Sequence, residues 1–289
     1  MENRTGREAC KKEFVKLFDT LTGAQNRWQA WNDMVWLFAT SIANSVKTPY
    51  WNKREQRYLE IIRKYDAKRQ QVFPELFAML VNIMDDSVNF GYYGDFLGEL
   101  FMKLELGNDA GGQFFTPYDM CLVMSEITYD DGLQNEIARK GWFSCNDCAC
   151  GAGATLIAFA DVLQKHDVNY QQRCIFVGQD IDYTTALMCY VQLSLLGCAG
   201  YVRVGDTLTD PGTGDVLFGD GGENTWYTPM FFAPAWEMRR TTTVIQRMSC
   251  GNEEPTQAPQ KPEEPEPMII EVSGKKGRRN PEGQLMFVF

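Results

Sequence analysis

The stretch Asn146-Asp147-Cys148-Ala149-Cys150-Gly151-Ala152-Gly153 decides how this sequence is interpreted. It follows the apolar pair Trp142-Phe143, as a loop follows a buried strand. Glycine tolerates positive φ and lets a ligand approach the backbone, so G-x-G predicts a tight turn with N–H groups directed outward. Because the Asp147 carboxylate would repel a phosphate, the loop suits a cationic or hydroxyl-bearing ligand better than a pyrophosphate. A tightly packed turn inside an α/β core is an equally compatible interpretation of these residues alone.

The cysteines in and before this loop raise the alternative of a metal site. Cys145, Cys148 and Cys150 have C-x-x-C-x-C spacing, but no second cysteine pair follows and His166 is the one histidine of the chain. Small residues inside a glycine loop have a packing reason, so we expect no metal. The cysteine count is odd, nine, which favours reduced thiols over a disulfide framework.

Composition places the chain among folded globular proteins. Of its 289 residues 44% are hydrophobic, enough to bury a sizeable core. No run of about 18 apolar residues occurs, which argues against a membrane span. The first residues open no apolar segment typical of a secretory signal, so a cytoplasmic location is expected.

The formal charge of −10 is unevenly distributed. Residues 1–110 carry 15 acids and 15 bases, whereas residues 111–249 carry 16 acids and 8 bases. Nucleic-acid binding rests largely on Lys and Arg, so a basic face must come from outside the acidic central region. The candidate segment is 47–69, although a solvated helix face explains its charges equally well. Its basic residues are Lys47, Lys53, Arg54, Arg57, Arg63, Lys64, Lys68 and Arg69.

Hydrophobic periodicity predicts a helical domain over residues 1–110. Aromatic and apolar side chains recur there at intervals of three and four, the spacing of a buried helix face: Phe14, Leu17, Phe18, Leu21, Trp28, Trp31, Val35 and Phe38.

From residue 111 to residue 249 the pattern changes to alternating strands and helices. The apolar runs Cys174–Val177 and Tyr201–Val204 flank a helical stretch at Thr184–Leu196. This alternation predicts parallel strands joined by crossover helices. Residues 250–289 open on a stretch rich in Glu, Pro and Gln and are expected to form a disordered acidic tail.

Four motifs resemble those of the modification subunits of type I restriction systems and related N6-adenine DNA methyltransferases. Gly112–Pro117 is similar to that family's G-Q-F-[YF]-T-P signature, and Asp147–Gly153 resembles its D-P-A-C-G-T-G loop. Val177–Asp182 resembles G-Q-E/D-I, and Val204–Leu208 resembles G-D-T-L. The resemblance implies an α/β fold with a Rossmann-like, S-adenosylmethionine-dependent methyltransferase sheet after an all-α N-terminal domain.

The resemblance also implies a cofactor site for S-adenosylmethionine. A carboxylate at the end of the second strand, Asp180, can accept hydrogen bonds from both ribose hydroxyls of an adenosine cofactor. By resemblance, Asp206 would accept from the adenine amino group. The candidate cofactor residues are Phe115, Thr116, Pro117, Asp147, Ala149, Gly151, Gly153, Asp180, Ile181 and Asp206.

Simpler roles are compatible with several of these residues. Asp180 can be a strand-end acid facing solvent, and Asp206 can cap the following turn. Thr116 can cap a helix whose first turn contains Pro117.

The catalytic motif of the resembled family, [ND]-P-P-[YFW], does not occur intact. Two partial matches are expected to follow the fourth strand: Asn224-Thr225-Trp226-Tyr227 keeps the Asn and the aromatic residue, and Thr228-Pro229-Met230-Phe231 keeps one proline and an aromatic residue. A buried strand and turn is the structural alternative. The catalytic candidates are therefore Asn224, Tyr227, Thr228, Pro229 and Phe231.

Three functions are compatible with these motifs. The favoured one is an adenine-specific DNA methyltransferase that transfers methyl to N6 of a flipped adenine. The degenerate catalytic motif supports a second, a catalytically weakened relative that binds cofactor and DNA or a partner in a regulatory or anti-restriction role. A methyltransferase for a small molecule or protein is the third, which the motif at Gly112–Pro117 disfavours.

The end of the chain adds two expectations about partners. Only about 18 residues separate Phe232 from Cys250, too few for three further strands, so the sheet is expected to be truncated. No segment is large enough for a target-recognition domain, which in type I systems belongs to a separate specificity subunit, so the resemblance implies such a partner or non-specific binding. The final peptide Gln284–Phe289 resembles the Q-L-x-L-x-[LF] peptide that bacterial sliding clamps bind. An edge strand pairing with Met268–Ile270 is the alternative for that peptide.

Overall fold

The computed structural model describes residues 2–23, 25–106, 115–212, 214–249, 270–272, 275–279 and 285–287. The chain divides into two compact units, Met1–Thr242 and Thr243–Phe289. Within the described residues, no helix combines the length and apolar character needed to cross a membrane.

Helices build the N-terminal part of the first unit. They run through Glu2–Phe18 (α1), Arg27–Ala43 (α2), Trp51–Ile62 (α3), Ala67–Gln70 (α4), Val72–Phe90 (α5) and Phe96–Lys103 (α6).

The predicted aromatic stripes form much of the helical core. Phe14, Phe18, Trp31, Val35 and Phe38 are buried, as their helical spacing requires. Helix α2 begins after an Asn N-cap whose side chain accepts from a backbone N–H three residues on. Two members of the stripe differ. Leu17 is half-buried, and Trp28 is 49% exposed because it lies in the first turn of α2, beyond the packed face.

An α/β region follows. Its elements are Tyr118–Thr128 (α7), Asp131–Lys140 (α8), Phe143–Asp147 (β1), Ala154–Lys165 (α9), Tyr170–Arg173 (α10), Cys174–Asp180 (β2), Tyr183–Leu195 (α11), Ala199–Val204 (β3), Thr225–Tyr227 (β4) and Pro234–Ser249 (α12).

The sheet of this region has the order β1-β2-β3-β4. The first three strands are parallel, which confirms the crossover arrangement predicted from the alternating pattern. Strand β4 is antiparallel and pairs with the outer side of β3. Among the described residues, β1 pairs with β2 alone, so no described strand after β3 returns to β1.

The place of β4 in this sheet differs from that of the fourth strand in a Rossmann-like sheet, the fold that the resemblance implied. In a doubly wound sheet the strand after the first half crosses to the other side of the first strand, where the order reverses. Here the short segment Thr225–Tyr227 folds back on β3 instead. The residues between Phe232 and Cys250, which were expected to be too few for three further strands, contain the whole of α12.

One hydrophobic core joins the helical and α/β parts of the first unit. Its members come from both parts, among them Trp31, Leu76, Phe101, Phe176 and Trp226. The contact between α2 and α11 is specific, because the Trp31 indole N–H donates to the Met188 sulfur at 3.3 Å. The boundary predicted near residue 110 is therefore a change of secondary structure within one packed unit.

The second unit contains the remaining strands, Ile270–Val272 (β5), Lys275–Arg279 (β6) and Leu285–Phe287 (β7), in the order β5-β6-β7. Strand β7 pairs with β6, whereas the edge-strand alternative for the final peptide pairs it with Met268–Ile270. Gln284 and the Pro-rich stretch up to residue 269 lie outside the described residues.

Candidate functional site

The glycine loop lies between β1 and α9, at the carboxyl edge of the parallel strands. Gly151 has φ +51° and Gly153 has φ +96°, a region that side chains other than glycine adopt with strain. A Cβ at Gly153 would lie 2.8 Å from the Cys189 sulfur of α11. The glycine at this position therefore allows the loop to pack closely against α11.

Asp180 connects this loop to the second strand. Its carboxylate accepts a hydrogen bond from the Gly151 N–H at 2.8 Å through one oxygen. The other oxygen accepts from the Asp182 N–H at 2.9 Å and from the Thr185 hydroxyl at 3.2 Å. The Cys150 N–H also donates to the Gln179 carbonyl at 2.9 Å, so β2 holds the loop at two adjacent residues.

Asp147 ends β1 and shapes the start of the loop. Its carboxylate accepts from the Ala149 N–H at 3.0 Å, an Asx turn that directs the chain away from the strand. Ala149 therefore contributes to the loop through its backbone N–H.

Phe115, one of the candidate cofactor residues, lies against the loop. A Cβ at Gly151 would be 3.1 Å from the Phe115 ring, so any side chain larger than that of glycine would crowd the ring. Thr116 and Pro117 precede α7. The simpler interpretation, in which Thr116 caps the helix and Pro117 lies in its first turn, does not hold. Pro117 itself is the N-cap of α7, and no side chain caps that helix, because the Thr116 side chain lies one residue too early.

Asp206 follows β3 and organises its own turn. One oxygen accepts from the Leu208 N–H at 2.9 Å and the other from the Thr209 hydroxyl at 3.1 Å. The next residue, Thr207, donates its hydroxyl to the Cys148 carbonyl at 2.5 Å, which joins this turn to the glycine loop.

Two large apolar side chains at this edge are exposed. Ile181, next to Asp180, is 72% exposed, and Leu208, two residues after Asp206, is 92% exposed. Exposed apolar groups beside acids are suited to contact the flat face of a ligand ring while the acids accept its hydrogen bonds.

A buried glutamine that was not a candidate in the sequence, Gln192, holds the glycine loop through the Ala152 carbonyl. Gln192 of α11 is fully buried, and its amide N–H groups donate to the Ala152 carbonyl at 2.9 Å and to the Asp95 carboxylate at 2.8 Å. Its amide oxygen accepts from the Leu97 N–H at 3.1 Å. No signal in a single sequence distinguishes this glutamine from other polar residues of a helix, since its role depends on three distant segments.

Gln179 has a comparable role for the turn after β3. Its side chain is buried and donates to the Gly205 and Asp210 carbonyls at 3.2 and 2.9 Å. It belongs to the Val177–Asp182 motif, so the sequence points to the motif but not to the purpose of this residue.

The two partial catalytic motifs lie at opposite ends of β3. The Asn224 carbonyl accepts from the Val204 N–H at 3.0 Å, so Asn224 lies at the carboxyl edge, and its side chain is exposed. The Thr228 N–H instead donates to the Gly200 carbonyl at 2.9 Å, near the amino end of the strand. The four residues from Gly200 to Val204 span about 13 Å at about 3.3 Å per residue.

The structure therefore does not bring Thr228–Phe231 to the glycine loop. Thr228 is fully buried, its hydroxyl donates to the Cys198 carbonyl at 2.7 Å, and it accepts from the Gly200 N–H at 3.0 Å. Pro229 starts a 3₁₀ turn, and Phe231 is buried beneath the Arg240 guanidinium, 4.4 Å from its ring centroid. Their described contacts are therefore structural ones, at the edge of the sheet that follows β4.

Tyr227 also has a structural partner. Its hydroxyl accepts from the Gly221 N–H at 2.8 Å, and its ring packs on Tyr201 at 5.3 Å. Of the five catalytic candidates, Asn224 is the one at the same edge of the sheet as the glycine loop.

The cysteines near the loop differ in environment. Cys148 is exposed and Cys150 is buried, while burial raises the pKa of the Cys145 thiol to about 12. Among the described residues, no group of three or more His, Cys, Asp or Glu side chains is placed to hold a metal ion.

Residues 94–230 match the family described as N-6 DNA methylase, a range that contains the glycine loop, Asp180 and Asp206. A search of curated proteins found no match.

Two methyltransferases are among the solved structures that resemble this chain. One, from Listeria monocytogenes, is described as a class I S-adenosylmethionine-dependent methyltransferase; it is 16% identical, with a TM-score of 0.43, over 72% of this chain and 57% of that one. The other is the methyltransferase subunit of a type I restriction-modification system from Streptococcus thermophilus; it is 14% identical, with a TM-score of 0.38, over 71% of this chain and 59% of that one. This chain therefore spans less than two thirds of either solved protein.

Proposed function

Residues 94–230 belong to the N-6 DNA methylase family, and from this premise we propose that the chain transfers a methyl group from S-adenosylmethionine to N6 of adenine in DNA. S-Adenosylmethionine is the cofactor that family membership implies. Transfer to an adenine amino group requires the base to leave the helix stack, so a flipped adenine is the proposed substrate.

The observation that carries the proposal is the arrangement of three carboxylates at one edge of the sheet. Asp147 and Asp180 end β1 and β2, and Asp206 lies two residues beyond the end of β3. Neighbouring parallel strands place their carboxyl ends together, which is where open α/β sheets bind ligands. Three acids there favour a ligand bearing a sulfonium and an ammonium group over one bearing phosphates.

The residues of the loop fit this cofactor, with one departure. The Phe115 ring and the exposed Ile181 offer apolar contact, and Asp147 and Asp206 each accept hydrogen bonds from their own turn. Asp180 departs from the role expected of it, because both of its oxygens already accept bonds within the protein. A carboxylate has about four acceptor positions, and Asp180 uses three, so one remains for a ribose hydroxyl.

One task in the reaction falls to a residue of this chain. When bound, S-adenosylmethionine supplies an electrophilic methyl group. We assign the target amino group to Asn224, whose amide oxygen can accept its hydrogen bond and so orient the nitrogen lone pair toward the methyl group. Asn224 is proposed over Thr228 because its backbone bonds β3 at the carboxyl edge, whereas Thr228 is buried at the amino end.

One observation favours the alternative of a catalytically weakened relative. Asn224 is not followed by the two prolines that would turn the neighbouring backbone carbonyl toward the substrate, and its aromatic residue, Tyr227, packs inside the sheet edge. A protein of this kind would bind S-adenosylmethionine and DNA without turnover.

Label transfer separates the two functions. The protein is incubated with methyl-labelled S-adenosylmethionine and unmethylated DNA, alone and with a type I specificity subunit, beside Asn224→Ala and Thr228→Ala variants. We expect label in DNA, a loss of transfer in Asn224→Ala, and unchanged cofactor binding in that variant. Cofactor binding by calorimetry with no label in DNA under any condition would establish the weakened relative instead.

Two partners belong to the proposal. A separate specificity subunit would supply sequence recognition, a partner implied by the resemblance of the four motifs to type I modification subunits. The final peptide Gln284–Phe289 would bind a bacterial sliding clamp, and it includes strand β7, which pairs with β6. Deleting Gln284–Phe289 should abolish clamp retention in a pull-down, whereas retention by the shortened chain would exclude this contact.

A further inference from the structure

A cavity of about 170 Å³ lies between α2, α3, the start of α11 and strand β4. Its walls combine aromatic and cationic side chains. Those used below are Trp36, Lys53, Arg54, Arg57, Tyr183 and Trp226. Tyr183 begins α11 three residues after Asp180, so this wall of the cavity lies near the carboxyl edge of the sheet.

Arg54 is the informative residue of the cavity. It belongs to the basic segment 47–69, yet it is only 6% exposed, so it is not part of a solvated helix face. Its guanidinium donates to the Thr225 carbonyl at 3.1 Å and lies 4.0 Å from the centroid of the Trp226 ring. Among the described residues, no carboxylate forms an ion pair with Arg54, although Arg57 and Lys53 each have one.

A buried guanidinium without a direct ion pair is costly, and an anion in the cavity would offset that cost. The Glu223 carboxylate, which also lines the cavity, attracts Arg54 without forming an ion pair with it. Burial lowers the pKa of Arg54, which shows that the surroundings disfavour its charge. The second and third cations lie at the rim. Arg57 is 5.9 Å from the centroid of the Trp36 ring, and Lys53 pairs with Glu223, a contact that is exposed and therefore weak.

The aromatic walls offer flat surfaces beside these cations. Trp36 stacks on Tyr183 with centroids 5.1 Å apart and an interplanar angle of 7°. Both rings are half-buried, so their outer edges line the opening. Trp226 stands nearly perpendicular to Trp36 at 5.5 Å and closes the floor.

We propose that this cavity binds a nucleotide, with the base against Trp36 and Tyr183 and the phosphate paired with Arg54, Arg57 and Lys53. Base stacking on aromatic side chains together with cationic contacts to the backbone is how single-stranded nucleic acids are bound without base-specific readout. The volume is below the roughly 300 Å³ of pockets for drug-sized ligands, so the phosphate enters the cavity beside Arg54 and the base stays at the rim, against the half-buried Trp36 and Tyr183. The source is either a free nucleotide or a nucleotide of single-stranded DNA.

The proposal stands apart from methyl transfer, because it concerns binding in the absence of S-adenosylmethionine. If the source is DNA, the cavity would hold a nucleotide of the strand beside Asn224, which adjoins the lining residue Glu223. Loss of nucleotide binding with intact label transfer would remove the cavity proposal alone. Intact nucleotide binding with no label transfer would remove only the proposed reaction.

Binding is measured by calorimetry with dAMP and with 2-deoxyribose 5-phosphate, and by fluorescence anisotropy with a labelled single-stranded 12-mer, all without S-adenosylmethionine. The variants are Arg54→Met, the exposed pair Lys53→Gln with Arg57→Gln, and Trp36→Leu. The matched control is Arg63→Gln with Lys68→Gln, which removes the same charge from exposed positions of the same segment outside the cavity.

We expect dAMP or the 12-mer to lose about tenfold in affinity in the exposed pair, about 1.4 kcal/mol, and less than about twofold in the control pair. Trp36→Leu should weaken dAMP and the 12-mer but not deoxyribose phosphate. Arg54 is buried, so the Arg54→Met variant is compared only if its thermal melt is unchanged. The decisive comparison is therefore between the exposed pair Lys53→Gln with Arg57→Gln and the control pair. Three results would overturn the proposal. The first is equal weakening in the cavity and control pairs, the second is equal affinity for dAMP and deoxyribose phosphate, and the third is no binding of either dAMP or the 12-mer. Pocket-dependent binding of dAMP alone or of the 12-mer alone supports it and identifies the source.

Discussion

The Gly151 N–H donates to the Asp180 carboxylate at 2.8 Å, so the acid that ends the second strand holds the glycine loop that follows the first. The same carboxylate also accepts from the Asp182 N–H. Asp180 therefore positions the loop in addition to any bond that it offers a ribose.

This relationship predicts the effect of Asp180→Asn. The amide keeps the size of the side chain but loses the charge and one set of acceptors, and hydrogen bonds to charged groups contribute about 1.5–3 kcal/mol. We expect the affinity for S-adenosylmethionine to fall at least about tenfold, as measured by calorimetry.

The control is Asp182→Asn, two residues away. Asp182 caps α11 by accepting from the Thr185 N–H at 2.9 Å, and Asn caps equally well, so cofactor affinity and stability should stay within about 0.5 kcal/mol of the parent. An equal loss of affinity in both variants would show that net charge at the edge matters and that the Gly151 contact does not.

Gly153→Ala should destabilise the fold. The position combines φ +96° with a Cβ that would lie 2.8 Å from the Cys189 sulfur, so strain and overlap add to about 2 kcal/mol or more. Gly91→Ala is the matched control, because Gly91 has φ +72° but no atom within 4 Å of an added Cβ, and it should cost about 1 kcal/mol. Chemical denaturation measures both free energies of unfolding, and a smaller cost at Gly153 would contradict the close packing of loop and helix.

Thr228 and Asn224 should separate stability from activity. Thr228→Val removes a buried hydroxyl that donates to the Cys198 carbonyl at 2.7 Å, which should cost about 1–3 kcal/mol in the free energy of unfolding. Asn224→Ala removes an exposed side chain and should leave stability within about 0.5 kcal/mol while abolishing transfer. A folded Thr228→Val variant without methyl transfer, beside an active Asn224→Ala variant, would reverse the assignment of the two motifs.

Thiol reactivity tests the environment of the loop. Cys148 is exposed, whereas burial raises the pKa of Cys145 to about 12, so at pH 8 almost none of Cys145 is thiolate. Iodoacetamide should therefore modify Cys148 well before Cys145, as peptide mass spectrometry can follow, and S-adenosylmethionine should slow the reaction at Cys148. Faster labelling of Cys145 would contradict the placement of β1.

The sequence predicted the parts of the site that follow strong local patterns. The apolar runs at Cys174–Val177 and Tyr201–Val204 and the helix between them became β2, β3 and α11 within a few residues. The acids Asp147, Asp180 and Asp206 could be placed together because parallel strands end at one edge.

What the sequence could not predict depends on pairing between distant segments. Strand β4 has three residues, and its choice of β3 over β1 rests on backbone bonds that leave no periodic signal. The partial motif that begins at Thr228 therefore lies at the amino end of β3, away from the glycine loop. Likewise, Arg54 is indistinguishable in sequence from its exposed basic neighbours, because its burial results from the packing of α3 against Trp226.

The most direct test of the account is the position of the transferred methyl group. Unmethylated DNA is incubated with the protein, a specificity subunit and S-adenosylmethionine carrying a deuterated methyl group, then digested to nucleosides for mass spectrometry. The account predicts deuterated N6-methyldeoxyadenosine, lost in the Asn224→Ala variant. Deuterium on cytosine, or none in DNA although calorimetry shows bound cofactor, would contradict it.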